Sequence, residues 1–461
     1  MLDYIIVGSG PSGGRFAYEF CEAGAKVLML EAGRRYSAKD FPLSDFVGSS
    51  KLFWGGGVEL SQDASLGFLR AKVVGGTSIV NQALLDEFDD DAWSDWKSRS
   101  GINDFSVATY REHYEALNRN LKIETIEDRY FNRNTKLFVE AFNKKGYGYS
   151  PLHRGQSNCD LENGNDCMAC LGGCPRNSKQ SSLVTTIAAA EKKGLQVESE
   201  FEVHSIDDSG GQVTVRGVQR GVQKEFKAKK VVLAAGSFGT THILLKSGFK
   251  SELPALGTKV TAHPQFMSYA FFNEHIDAHK GAFQGVKSYD TKIRKMGLKL
   301  ENVFAPPIGT SMLFAGMGKA HLAKMKKYRN LASMEVAIRD EAVGELKIDK
   351  AGKLIVKKSL TSLDWKKVHD GLALVRELFG AVGVHDIEAC MQVFGLHLMG
   401  GCSAGVDGKT SVVGPDFKVH GHRNVIIADS SVFPSAPGIN PSFTIMALSH
   451  RAAQKEIKEG K

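Results

Sequence analysis

A glycine-rich turn between two short apolar segments near the N-terminus constrains the fold of this chain more than any other feature. Residues 4–7 (Tyr-Ile-Ile-Val) are typical of a buried parallel strand, and residues 8–13 read Gly-Ser-Gly-Pro-Ser-Gly. A helical pattern follows over residues 14–23, and a second apolar run over residues 26–30 ends at Glu31. A strand, a Gly-x-Gly-x-x-Gly turn, a helix and a strand, with an acidic residue about 20 positions past the turn, are the fingerprint of a dinucleotide-binding unit.

Each glycine of this turn has its own physical role. Gly8 permits the tight turn, Gly10 lets the backbone approach a pyrophosphate, and Gly13 allows the helix to pack closely on the strand. The N-terminus of the helix then faces the pyrophosphate, and Glu31 accepts a hydrogen bond from a ribose hydroxyl. We therefore predict cofactor contacts at Gly8, Gly10, Pro11, Ser12, Gly13, Glu31 and Ala32.

The bulk composition limits the possible partners. The 461 residues include 59 basic and 51 acidic side chains, and the resulting charge of +8 is too diffuse to indicate a nucleic-acid partner. No run of about 18 apolar residues exists in the sequence, which predicts that there is no transmembrane segment. The first strand begins at residue 2, which leaves no room for a signal peptide, so we expect a cytoplasmic location.

Three further segments resemble a known family. Residues 70–81 read Arg-Ala-Lys-Val-Val-Gly-Gly-Thr-Ser-Ile-Val-Asn, residues 231–240 read Val-Val-Leu-Ala-Ala-Gly-Ser-Phe-Gly-Thr, and residues 397–402 read His-Leu-Met-Gly-Gly-Cys. With the first turn, these segments resemble the GMC oxidoreductases (glucose–methanol–choline type), nearest the cholesterol-oxidase and long-chain-alcohol-oxidase branches. Thr241 and Lys250 stand where that family usually has Pro and Gly, and neither departure touches the chemistry.

The resemblance implies a non-covalent FAD cofactor. Some family members tether the flavin through a histidine at the position that Val80 occupies in this chain. The resemblance further implies that backbone amides of Gly75 and Gly76 reach the diphosphate and the isoalloxazine edge, and that the backbone of Val203 lies against the adenine. The implied contacts beyond the first turn are Gly75, Gly76, Thr77, Ser78, Asn81, Val203, Ala235, Gly236, Asp429, Asn440 and Pro441.

The resemblance also implies the oxidation of an alcohol. His397 occupies the family's catalytic position, and Asn440 matches its hydrogen-bonding partner. A histidine suits removal of the hydroxyl proton because its ordinary pKa lies near neutrality, while the carbinol hydride passes to flavin N5. Independently of the family, Asn440 followed by Pro441 predicts the N-cap and first residue of a helix whose N-terminus points at the flavin.

The order of elements predicts an α/β fold, α+β overall, with two domains. Residues 1–250 form the N-terminal part of a Rossmann-like FAD-binding domain, residues 251–389 a substrate-binding domain, and residues 390–461 complete the FAD domain and the active site. A hairpin over residues 344–356 and an amphipathic helix over 365–379 predict that the substrate domain is an antiparallel sheet with covering helices. We also predict a helix over residues 91–123 and a hairpin over residues 212–228.

Four of the seven cysteines lie close together in a loop rich in Asn and Gly; they are Cys159, Cys167, Cys170 and Cys174. Their spacing is similar to that of iron–sulfur proteins, and zinc is a second possible ligand for such thiols. We predict that no metal is bound, and an iron–sulfur cluster stays open as an alternative.

The sequence therefore predicts an FAD-dependent oxidoreductase that converts the CH–OH group of a small-molecule alcohol to an aldehyde or ketone. Two alternatives stay open: a sugar or alcohol dehydrogenase that passes electrons through a cysteine-bound cluster, and a flavin-binding module without turnover. No motif identifies the electron acceptor. An apolar stretch rich in adaptable methionines favours a large hydrophobic alcohol over a sugar. It comprises Met312, Leu313, Phe314, Met317, Leu322 and Met325.

Overall fold

The computed structural model describes residues 1–42, 44–161, 169–282, 284–341 and 343–460. The strands in these ranges are β1 (Leu2–Val7), β2 (Val27–Leu30), β3 (Glu59–Leu60), β4 (Gly67–Phe68), β5 (Ile123–Thr125), β6 (Tyr149–Pro151), β7 (His153–Gly155), β8 (Gln196–Glu198), β9 (Phe201–Asp207), β10 (Val213–Gln219), β11 (Val222–Leu233), β12 (Thr261–Phe271), β13 (Val286–Ser288), β14 (Leu298–Glu301), β15 (Leu331–Ile338), β16 (Glu345–Ile348), β17 (Leu354–Lys357), β18 (Ile387–Ala389), β19 (Phe394–Met399), β20 (Lys418–Val419) and β21 (His422–Ile427). The α-helices are α1 (Pro11–Glu22), α2 (Asp45–Leu52), α3 (Asp90–Ser100), α4 (Val107–Asn118), α5 (Arg133–Lys145), α6 (Ala188–Glu191), α7 (Gly236–Lys246), α8 (Thr291–Lys295), α9 (Pro307–Leu313), α10 (Gly318–Met325), α11 (Ser362–Ala381) and α12 (Ser442–Glu459).

The first sheet has the parallel core that the N-terminal fingerprint predicts. Its central strands lie in the order β8-β2-β1-β11-β21, and each pair of neighbours is parallel. β10 extends this sheet as an antiparallel neighbour of β11, which confirms the predicted hairpin over residues 212–228, and β9 pairs in turn with β10. The strand order reverses between β1 and β11, which is the switch point where open α/β sheets bind their ligands.

The second sheet is the antiparallel sheet predicted for substrate binding. Its strand order is β3-β4-β19-β12-β15-β14-β13-β6, with β18 on β12, and only the β4–β19 pair is parallel within the described residues. α11 covers the sheet by packing on β12 and β15. The predicted fold class is thus confirmed, as is the β16–β17 hairpin. The second sheet takes strands from all three predicted segments, and the three-part division of the chain stays a prediction.

The helical structure predicted over residues 91–123 is present as two helices, α3 and α4, and the range ends at the first residue of β5. Gly101 ends α3 with a left-handed φ of 71°, and the Ser106 side chain caps α4 by accepting a hydrogen bond from the Thr109 amide. None of the helices in the described ranges is long and apolar enough to cross a membrane.

The C-terminal helix begins one residue later than an N-cap at Asn440 and a first helical residue at Pro441 predict. α12 starts at Ser442, Pro441 occupies the N-cap position, and no side chain caps the helix. The side chain of Asn440 instead turns towards a neighbouring strand, where its Nδ2 donates to Glu301 Oε1 at 3.4 Å. The predicted N-cap role of Asn440 is therefore wrong, because Pro441 holds the N-cap position and Asn440 lies one residue before it.

Candidate active site

A cavity of about 1310 Å³ begins at the carboxyl ends of β1, β2 and β11 and extends to the inner face of the second sheet. Most of the predicted site residues line it: Gly8, Gly10, Pro11, Ser12, Glu31, Ala32, Gly76, Thr77, Asn81, Val203, Ala235, Gly236, His397, Asp429, Asn440 and Pro441. Gly13, Gly75 and Ser78 do not line the cavity. The cavity thus joins the predicted cofactor contacts and the two predicted catalytic residues.

The three glycines of the first turn face different surroundings. Gly8 has a φ of 100°, and a Cβ there would lie 2.4 Å from the carbonyl oxygen of Ala234. A Cβ at Gly13 would lie 1.9 Å from the carbonyl oxygen of Gly8, so both positions need glycine for the fold itself. Gly10 differs, because its φ is −67° and a Cβ there would meet only the Cα of Gly76, at 4.0 Å. The space beside Gly10 therefore belongs to the cavity and suits a ligand that approaches the backbone closely.

A chain of hydrogen bonds connects the first turn to the loop that contains Gly75 and Gly76. Glu31 accepts from the amide of Ser9 at 3.0 Å, from the Ser9 hydroxyl at 2.6 Å, and from the amide of Gly33 at 2.8 Å. The Ser9 oxygen in turn accepts from the amide of Gly75 at 2.8 Å. Burial raises the pKa of Glu31, and these donors oppose that effect. Gly75 thus acts behind the cavity wall, where it fixes the loop that carries Gly76.

Lys179 holds the same loop from the opposite side. Its buried ammonium donates to the carbonyl oxygens of Ile79 and Cys170 at 2.6 Å and to that of Asn81 at 2.7 Å. Burial lowers the pKa of Lys179. Since an unpaired buried charge is costly, the three carbonyl acceptors and Lys179 stabilise one another. The loop with the predicted flavin contacts is thereby fixed to the cysteine-rich segment.

Asp429 organises the turn after β11. Its Oδ2 accepts from the Gly236 amide at 2.7 Å and from the Thr240 hydroxyl at 2.6 Å. Its Oδ1 accepts from the amide of Ser431 at 2.8 Å and from the Ser431 hydroxyl at 2.5 Å. The carboxylate lines the cavity, yet both oxygens already have protein donors, so its evident task is to position the Gly236 turn.

His397 reaches the cavity from an irregular point of β19. The pairing of β19 with β12 shifts register between Thr261 and His263, and His397 has a left-handed φ of 55°. Such a bulge re-aims one side chain, and a left-handed backbone costs a non-glycine residue about 1–3 kcal/mol. His397 Nδ1 lies 2.9 Å from Nδ1 of His263, whose Nε2 accepts from the amide of Gly438 at 3.0 Å.

Burial keeps both imidazole rings neutral. Desolvation, together with the positive charge of Lys299, lowers the pKa of His397 to about 3. The pKa of His263 also lies well below its usual value, because the ring is buried and has His397 and Lys299 nearby. Neither ring is therefore an imidazolium near neutral pH.

A buried network of charges extends from Asn440 along the second sheet. Glu301 pairs with Lys299 at 2.5 Å and accepts from Gln284 Nε2 at 2.6 Å. Lys299 also lies 3.4 Å from Asp86. Glu335 is directly opposite Glu301 in the β14–β15 register, and both carboxyl groups line the cavity. Burial, reinforced by Glu301, raises the pKa of Glu335 to about 8.

The sequence analysis missed His263, Gln284, Glu301 and Glu335. Residues 298–301 alternate as Leu-Lys-Leu-Glu, a pattern that ordinarily indicates a strand with one solvent-facing side. In this protein Glu301 is buried and lines the cavity, and the half-buried Lys299 beside it is paired with it. The one available signal was the placement of these charged residues in the segment predicted to bind substrate.

The cysteine cluster is only partly described. Cys167 lies outside the described residues, while Cys170 is buried and Cys159 and Cys174 are half-buried. Among the residues that the structure describes, no three His, Cys, Asp or Glu side chains are placed to hold a metal ion.

Family models identify the class of protein that this fold and site belong to. The N-terminal model of the GMC oxidoreductases matches residues 49–265, and the C-terminal model matches residues 349–449. The chain belongs to the GMC oxidoreductase family, whose members are FAD-dependent oxidoreductases.

Individual relatives span nearly the whole chain at low identity. A GMC-type oxidoreductase of Sinorhizobium fredii is 26% identical over 99% of this chain and 94% of its own length. A long-chain-alcohol oxidase of Arabidopsis thaliana is 22% identical over 97% of this chain and 67% of its own length. A cholesterol oxidase of Acinetobacter baumannii is 23% identical over 98% of this chain and 93% of its own length. The fold resembles that of pyridoxine 4-oxidase from Mesorbium loti, with a TM-score of 0.76 at 14% identity over 98% of this chain and 99% of the other.

Substitutions at Gly10 and at Gly8 should distinguish an effect on cofactor affinity from an effect on stability. In Gly10→Val the new side chain enters the cavity from a φ that any residue adopts, so we expect a melting temperature of the apoprotein within about 2 °C of wild type. FAD affinity should fall roughly 10- to 100-fold or more, as overpacking costs about 1–3 kcal/mol. In Gly8→Val, strain and the clash with Ala234 should instead destabilise the protein by about 2 kcal/mol or more. Thermal melts and FAD titrations measure both effects. Unchanged FAD affinity in Gly10→Val would contradict the assignment of the space beside Gly10 to the cofactor.

Proposed function

We propose that this enzyme oxidises the CH–OH group of a hydrophobic alcohol to an aldehyde or ketone, with the hydroxyl held between His397 and Asn440. The observation that carries the proposal is that both side chains line the cavity that is also lined by the glycine turn at Gly8 and Gly10. FAD, when bound, supplies the two-electron acceptor that alcohol oxidation requires. The protein's tasks are then to bind and orient the alcohol, to exclude water and to control the hydroxyl proton.

The first turn and the Gly76 loop fit the cofactor. The open space at Gly10 and the N-terminus of α1 suit a diphosphate, because backbone N–H groups and the helix dipole both favour an anion. Glu31 and Val203 would hold the adenosine part, and Gly76, Thr77 and Asn81 the region towards the flavin ring. Val80 lines the cavity where a tethering histidine would stand, so we propose that the FAD is non-covalent.

Acid precipitation of the purified holoenzyme tests the mode of attachment. Since Val80 has no nucleophilic atom, we expect the denatured protein to release its FAD into a yellow supernatant. Flavin absorbance that remains in the washed pellet would contradict non-covalent binding.

We propose that His397 and Asn440 are the residues that touch the reacting hydroxyl. Asn440 donates its amide to Glu301, which leaves its Oδ1 for the substrate hydroxyl. The sequence-based hypothesis gives His397 the role of base. Burial keeps the ring neutral, as a base must be, but the lowered pKa makes it a weaker base than the near-neutral value on which the hypothesis rests. That role also requires that the ring nitrogen facing the cavity carries no proton, a condition that the neighbouring hydrogen bonds decide.

Replacement of His397 tests the assignment of the reaction centre. In His397→Ala, we expect the rate of flavin reduction by alcohol to fall by about two to four orders of magnitude, as when a general acid–base group is lost. FAD should stay bound, because the predicted cofactor contacts lie on the first sheet and in the Gly76 loop. The exposed His275, which does not line the cavity, provides the control variant His275→Ala. Anaerobic rapid mixing measures the rates, and an unchanged rate in His397→Ala would refute the assignment.

The cavity wall away from the polar cluster supports a hydrophobic substrate. Apolar side chains from the second sheet, the loop after β14 and α9 line it: Met267, Val303, Phe304, Ile308, Met312, Leu313, Phe394 and Leu396. At the rim, Phe46 of α2 and Met312 of α9 are 68% and 64% exposed, and Asp45 joins these two helices by accepting from the Ile308 amide at 3.2 Å. Exposed apolar groups at the entrance of a cavity are typical of sites that take apolar ligands.

The methionine-rich stretch contributes to this wall only in part. Met312 and Leu313 line the cavity, whereas Phe314 packs into the core against Tyr269 and Phe271. Met317 is exposed and is not among the lining residues. The support for a hydrophobic alcohol therefore comes from the whole wall more than from this stretch.

A substrate panel with a rim variant tests the substrate class. We expect kcat/KM for a long aliphatic alcohol or a sterol to exceed that for glucose. Met312→Asp should lower kcat/KM for the long alcohol roughly tenfold, since about 1.5 kcal/mol of apolar contact is lost, and should leave a short alcohol unaffected. The exposed Met391, which does not line this cavity, provides the control Met391→Asp. A clear preference for glucose would contradict the proposed substrate class.

A further inference from the structure

Two imidazole rings face each other at the centre of the proposed reaction site. His263 lies in β12 and His397 in β19, and their Nδ1 atoms are 2.9 Å apart with the ring planes at 84°. A hydrogen bond between two imidazole nitrogens requires that one nitrogen carries a proton and the other does not. The contact alone does not fix which ring is the donor.

A third group determines the direction of this hydrogen bond. The backbone amide of Gly438 donates to His263 Nε2 at 3.0 Å, and a backbone N–H is always a donor. His263 Nε2 must therefore be unprotonated, and the neutral ring carries its proton on Nδ1. His263 Nδ1–H then donates to His397 Nδ1, so a neutral His397 must carry its own proton on Nε2.

We propose that His263 is a positioning residue that holds His397 as the Nε2–H tautomer, so that the resting enzyme presents a hydrogen-bond donor to the substrate oxygen. This inference rests on the proposed function in that it places the substrate hydroxyl at His397. Gly438 lies two residues before Asn440 in the same segment. The orientation of His263 and the tautomer of His397 are thus coupled to the segment that positions Asn440.

The tautomer changes the task of His397. An Nε2–H group orients the alcohol oxygen by donating a hydrogen bond to it. The role of base requires an unprotonated Nε2 at His397. That state appears only if both rings change tautomer together. His263 would then carry a proton on Nε2, and this N–H would face the N–H of Gly438. The charged groups near the two rings are Lys299, Arg294, Arg339 and Asp86. Lys299 disfavours an imidazolium at His397 and Asp86 opposes this effect, while Lys299, Arg294 and Arg339 disfavour an imidazolium at His263.

Two substitutions of His263 set the tautomer in opposite directions. In His263→Asn, the side-chain amide still offers an N–H to His397 Nδ1, so the wild-type tautomer should persist. In His263→Asp, the carboxylate only accepts, so His397 should carry its proton on Nδ1 and leave Nε2 bare. The same carboxylate should raise the pKa of His397, because it stabilises the imidazolium.

The ¹⁵N chemical shifts of the histidine rings report the tautomer without reference to turnover. We would record them for the FAD-loaded enzyme with ¹⁵N-labelled histidine, and would assign His397 by the signals lost in His397→Gln. In wild type and His263→Asn we expect an unprotonated Nδ1 and a protonated Nε2 at His397, and in His263→Asp the reverse.

A protonated Nδ1 at His397 in wild type would overturn the inference, even if the Asp variant fails to fold. An unchanged pattern in a folded, FAD-loaded His263→Asp would overturn it as well. The proposed function is judged separately, by the rate of flavin reduction in His397→Gln. A normal rate in His397→Gln refutes the proposed function. If wild type shows the reversed tautomer at His397 while His397→Gln reduces its flavin slowly, only the role of His263 is refuted.

Discussion

The carboxylate of Asp429 accepts four hydrogen bonds at the place where the two sheets meet, and the geometry of the site depends on this junction. Through Gly236 and Ser431 it fixes the turn after β11 and the segment after β21. The same segment binds the end of β19, since the amide of Gly400 donates to the Ser430 carbonyl at 2.9 Å and Ser237 Oγ donates to the Gly400 carbonyl at 2.8 Å. The second sheet is thereby held against the predicted cofactor contacts of the first sheet, and His397 reaches the cavity that the two sheets share.

The proposed reaction centre contains features that a purely structural site would not need. His397 combines a left-handed backbone with a neutral ring in the cavity wall, and it contacts the buried His263. Glu335 adds a carboxyl group with a pKa raised to about 8 in the same cavity. Strained backbone and shifted pKa values cluster at functional sites, because the surrounding fold provides the stability that they cost. The packed sheets on either side make this possible.

The sequence predicted the parts of the site whose residue types follow from local geometry. Gly8 is needed for a left-handed turn and Gly10 for close approach of a ligand, and both are recognisable between a strand and a helix. His263 and Glu335 lie in ordinary strands, and only pairing between distant segments brings them to the cavity. Asn440 shows the same limit, because the sequence predicts it as a helix cap, whereas its amide contacts Glu301, which is far away in the sequence.

The central claim is that this cavity breaks the C–H bond of an alcohol carbon next to a bound flavin. The most direct test is the single-turnover rate of flavin reduction, measured without oxygen, for a long-chain primary alcohol and for the same alcohol with both α-hydrogens replaced by deuterium. If the carbinol C–H bond breaks in this step, the deuterated alcohol must reduce the flavin several-fold more slowly at saturating concentration. Equal rates for the two alcohols, or an oxidised flavin that neither alcohol reduces, would contradict the account.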